Sequence, residues 1–67
     1  MKTIQQFYIE ITKLLQKEHP DLLAGFKERI NYKNPKEVFM WLQSELEKRS
    51  ISDKLEAVMT DFFYSIH

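Results

Sequence analysis

Apolar residues in this chain recur every three or four positions in four separate runs, a pattern that only an all-helical fold satisfies. Ile4, Phe7, Tyr8, Ile11, Leu14 and Leu15 share one stripe, and Leu22, Leu23, Phe26 and Ile30 a shorter one. Val38, Phe39, Leu42 and Leu46 align on a third. Leu55, Val58, Met59, Phe62, Phe63 and Ile66 form a broad fourth face. Period-two alternation is sustained nowhere, so strands are not expected. The breaks between runs are legible. Pro20 and Pro35 suit the first turn of a helix, where the missing N–H would lack a partner anyway, and Ser50 and Ser52 can cap a following one. Thr3 with Gln6, and Asn34 with Glu37, have capping-box spacing. The spacing predicts helices near residues 3–18, 20–31, 35–49 and 53–65. The expected fold class is all-α: a compact bundle of four short helices, or three long plus one short, forming a single helical domain over 1–67.

Size narrows the functions such a bundle can carry. A chain of 67 residues buries only about 60% of the surface its unfolded form exposes, leaving no room for an elaborate cleft. Ten basic and ten acidic side chains balance, which disfavours both a strongly basic nucleic-acid binder and an acidic mimic of DNA. No apolar run approaches the roughly 18 residues of a membrane span, and the first residues lack the pattern of a secretory leader. The expectation is a cytoplasmic protein with no membrane partner.

Residues that could do chemistry do not converge in the sequence. There is no cysteine, and the two histidines, His19 and His67, are far from the i,i+4 spacing of metal ligands, so no metal site is expected. His19 reads as a helix cap and His67 as a terminus. Ser44, Ser50, Ser52 and Ser65 stand outside any glycine-framed turn, and Glu45 and Glu47, two apart, point to different sides of a helix. Gly25 stands alone, so no phosphate-cradling loop forms around it. Neither catalysis nor a cofactor is expected.

The tripeptide His19-Pro20-Asp21 resembles the histidine-proline-aspartate of J-domain co-chaperones, which lies in a loop between two antiparallel helices and stimulates a partner ATPase. The likeness spans three residues, and Leu22 follows directly, so the triplet equally reads as a helix start. The longer stretch His19-Pro20-Asp21-Leu22-Leu23-Ala24-Gly25-Phe26 resembles the third-helix signature of paired amphipathic helix domains, modules that clasp a partner's helix. It covers at most a third of the chain, and the helices that complete that family's cleft upstream have no counterpart. Neither likeness reaches far enough to name a family.

Charge is informative by position. Residues 1–36 carry a net +3 and residues 37–67 a net −3. The basic excess is densest at Lys27, Arg29, Lys33 and Lys36, beside Tyr32. These four can be read as a phosphate contact of a nucleic-acid-associated accessory protein, or as an ordinary solvated helix junction.

Apolar surplus gives the stronger functional expectation. On the helical wheel Ile9 lies opposite the first stripe and Met40 opposite Val38 and Leu42. Trp41 sits at that stripe's margin, and Tyr64 opposite the Phe62 and Ile66 side. Aromatic residues and methionine are enriched at protein interfaces. Met40 and Trp41 would instead be core if the third helix is buried on two sides. The leading expectation is a non-catalytic protein–protein interaction or regulatory module, acting stoichiometrically through a face built from Ile9, Met40, Trp41 and Tyr64. Self-association as a homodimer is one way for so small a chain to gain core.

Overall fold

A computed structural model describes residues 2–67, and within them the chain is entirely helices and short connections. The elements are α1 (Ile4–Glu18), a single 3-10 turn (Pro20–Leu22) running into α2 (Leu23–Tyr32), α3 (Pro35–Leu46) and α4 (Asp53–Ile66). Helix α1 packs on α2 and α4, and α3 packs on the same two, so the four helices form the corners of a bundle around one core. No helix among the described residues is long and apolar enough to cross a membrane.

The helix starts follow from local chemistry. At α1 the capping box is complete: Gln6 N–H donates to Thr3 Oγ1 at 3.2 Å, and Thr3 N–H to Gln6 Oε1 at 2.8 Å. Asn34 Oδ1 accepts from Glu37 N–H at 2.9 Å, with Pro35 in the first turn of α3. At α4 Ser52 alone caps, its Oγ accepting from Leu55 N–H at 3.1 Å while donating to Glu18 Oε2 at 2.9 Å. One hydroxyl thus starts α4 and ties it to the end of α1.

Three sequence expectations need correcting. Ser50 caps nothing and lies exposed in the connection before α4. Helix α3 stops at Leu46 rather than running to 49: the chain turns over residues 47–49, where Arg49 meets Asp21. That contact is two-pronged, with Nη1 and Nη2 donating to the two carboxylate oxygens at 2.9 and 2.6 Å, and the guanidinium holds the Asp21 carboxyl below its ordinary pKa. The second helix opens as a 3-10 turn: Pro20 follows a non-helical His19, and the α-helix itself begins only at Leu23. His19 ends α1 through its backbone N–H, bonded to the Leu15 carbonyl, while its Nε2 is buried with no partner in the protein.

The stripes converge in one core. Ile11, Leu15, Phe26, Val38, Leu42, Leu55 and Phe62 are its fully buried side chains, so each of the four helices contributes. Phe62 is the aromatic hub: its ring centroid lies 5.5 Å from Phe7, 5.9 Å from Tyr8 and 5.8 Å from Phe39. Helices α2 and α3 are coupled differently. A Cβ built on Gly25 would come within 2.9 Å of Trp41 Cζ2, so the bare glycine is what lets the indole lie against α2. Arg29 covers the ring's other surroundings, its guanidinium carbon 4.2 Å from the ring centroid and its Nη1 donating to the Gly25 carbonyl at 3.2 Å.

Candidate interaction groove

Helix α3 has four kinds of side. Val38, Phe39, Leu42 and Leu46 face inward, and Trp41 covers the flank against α2. Met40 points outward and is 60% exposed. The remaining flank, toward α4, carries Gln43 and Glu47 at the angle where Phe39 and Leu46 also reach the surface. On α4 the matching flank is Glu56, Met59, Thr60 and Phe63, one helical row at i, i+3, i+4 and i+7. Leu42, Leu46, Leu55 and Met59 of the two helices belong to the common core, Phe39 meets Phe62 and Phe63, and Ile51 of the connection lines the groove as well. What remains between the flanks is an open groove of about 400 Å³.

Its floor is apolar and its lip aromatic. Phe39, Leu46 and Met59 form the floor from the edge of the core, with Ile51 also lining it. Phe63, 38% exposed, and Tyr64, 73% exposed, form the lip. Phe63 is held by neighbours on three sides: Phe39 at 5.4 Å, Tyr64 at 5.5 Å, and the His67 ring stacked at 4.2 Å. The lip is therefore an ordered aromatic surface rather than a single side chain waving in solvent. Polar groups stand at the margins. Thr60 Oγ1 donates to its own helix at the Glu56 carbonyl, 3.0 Å away, which leaves Glu47 and Glu56 as the charged groups of the groove.

The residues singled out in the sequence are not gathered here. Tyr64 lines the groove; Ile9, Met40 and Trp41 do not. Ile9 is 54% exposed on the outer side of α1. Trp41 is partly buried against Gly25 and Arg29 on the opposite flank of α3. Among the four basic residues, Lys27, Lys33 and Lys36 are exposed, whereas Arg29 is engaged with Trp41 and the Gly25 carbonyl. Sequence reasoning missed Phe63 and Ile51. The available signal was the width of the fourth apolar face, which exceeds what one core-facing stripe uses.

Among the described residues no group of three or more His, Cys, Asp or Glu side chains is placed to hold a metal ion. No family model, curated protein or solved structure matches the chain.

Proposed function

We propose that this chain is a non-catalytic protein-interaction module that acts by stoichiometric occupancy, taking a segment of another protein into the α3–α4 groove. The observation that carries this reading is the groove itself: an apolar floor with Phe63 and Tyr64 left uncovered at its lip. Burying such aromatic surface is the usual energetic centre of a protein interface. An apolar floor that needs no catalytic group accords with a binding role, and affinity then rests on a few anchors rather than on total area. In the alternative, phosphate contact through residues 27–36, Lys27, Lys33 and Lys36 are exposed and the Arg29 guanidinium is stacked on Trp41.

The test compares two double variants as affinity baits in extract of the source cells. In one, Phe63→Ala and Tyr64→Ala strip the lip; in the other, Ile9→Ala and Met40→Ala remove exposed apolar groups elsewhere. Alanine keeps helix propensity, so both variants are expected to retain the wild-type far-ultraviolet circular dichroism. The protein retained by wild type should be lost at least tenfold from the first bait and kept by the second. Retention by the first and loss from the second would contradict the groove reading and return the function to the Ile9 and Met40 surface.

A further inference from the structure

The charge around the groove selects the partner, an inference that rests on the groove being the binding site. Glu47, at the end of α3, and Glu56 on α4 both line it, one from each side. Neither is in an ion pair among the described residues. The nearest cations in sequence are turned to other partners: Lys48 to Glu45 at 3.5 Å and Arg49 to Asp21 at 2.6 Å. Lys54 leaves α4 roughly 160° around the helix from Glu56, on the other side from the groove. Both walls therefore present uncompensated negative charge over an apolar floor.

The geometry points to a basic amphipathic helix of a partner protein as the occupant, and we propose that the groove is selective for one. The α4 wall from Glu56 to Tyr64 covers eight steps of about 1.5 Å, a little over two helical turns, so the occupant presents apolar residues at i, i+4 and i+7. Lysine or arginine on either side of that stripe then meets Glu47 on one wall and Glu56 on the other. A second copy of this chain is a poorer occupant. Two-fold pairing through this groove sets the same face against itself, and since no Lys or Arg lines that face it supplies no cation to Glu47 or Glu56 of either copy.

The probe is a pair of synthetic helical peptides with identical leucines at i, i+4 and i+7, one flanked by lysines and one by glutamates. Each is titrated into the isotopically labelled full chain, with binding read from amide shifts and sites from the residues that move. The lysine peptide should shift Leu46, Met59 and Phe63 and bind at least about tenfold more tightly than the glutamate peptide at low salt, a gap that shrinks as salt rises. In the Glu47→Lys, Glu56→Lys variant the order should reverse. Equal binding of both peptides in the groove would overturn the charge selectivity while leaving the groove as a protein site. Failure of both peptides to perturb the groove would overturn both readings. A dimer of the chain alone, with Phe63 protected, would replace the foreign helix by a second copy and overturn the proposal.

Discussion

Phe62→Ala is expected to leave the chain largely unfolded at 37 °C. The ring is fully buried and touches Phe7 and Tyr8 of α1 and Phe39 of α3, so its removal opens a cavity where three helices meet. Truncating a buried phenylalanine costs about 3–5 kcal/mol. A domain of this length has about 3–10 kcal/mol in total, so the loss takes most of the margin. Urea titration followed at 222 nm measures it directly. The adjacent Phe63→Ala, at the groove lip, should cost no more than about 1–2 kcal/mol because that ring is already partly in water. Similar losses for the two neighbours would mean that the lip is part of the core and that the groove is not an open surface.

The second large effect concerns Gly25. In an exposed helix, glycine to alanine gains about 1 kcal/mol. Here Gly25 has ordinary helical backbone angles, so conformational freedom is not what it supplies. It supplies room: the new methyl would lie 2.9 and 3.1 Å from two carbons of the Trp41 ring, and the ring cannot retreat without disturbing its stack with Arg29. Gly25→Ala should therefore destabilise by about 1–2 kcal/mol, in the range of core overpacking, and Gly25→Leu by more. In a Trp41→Leu background, where the ring is gone, Gly25→Ala should return to a neutral or stabilising change. A double-mutant cycle in denaturant checks this, and an unchanged or improved stability of Gly25→Ala alone would contradict the close packing of α2 on α3.

The parts of this architecture that depend on near neighbours in sequence were legible there. Caps, prolines in first turns and apolar stripes act over three or four residues: the capping box forms at Thr3 and Gln6, Asn34 and Ser52 cap without a reciprocal bond, and the four stripes supply the core except for Phe63. Ser50 misled because two serines within three positions compete for one cap, and the choice was made at a distance, by Glu18 receiving the Ser52 hydroxyl. Past the early end of α3, Arg49 likewise meets a residue 28 positions away in sequence, Asp21, which no local pattern announces. The eight residues 19–26 that resemble a paired amphipathic helix signature have local reasons here: Pro20 opens the 3-10 turn, Leu22 and Phe26 enter the core, and Gly25 receives Trp41.

The candidate site was less legible. A helical wheel identifies residues that point away from a stripe, and it did so for Ile9, Met40 and Tyr64, all more than half exposed. It does not say how far apart two helices stand along their length. The groove lies between the flanks of α3 and α4, where Phe39, Leu46 and Met59 line it from the edge of the core and Phe63 stays 38% exposed at its lip. Trp41 could not be assigned for a related reason: its place depends on a glycine on another helix. A lone glycine inside a helical pattern is the sequence signal for such close approach.

Photo-cross-linking in the source cells bears most directly on the central claim, that the α3–α4 groove is where another protein binds. A benzophenone side chain replaces Thr60, on the groove wall, or Lys13, exposed on the outer side of α1. A defined cross-linked species is expected from position 60, absent from position 13 and lost when Phe63 and Tyr64 are both alanine. Equal cross-linking from the two positions, or a species from position 13 alone, would contradict that claim.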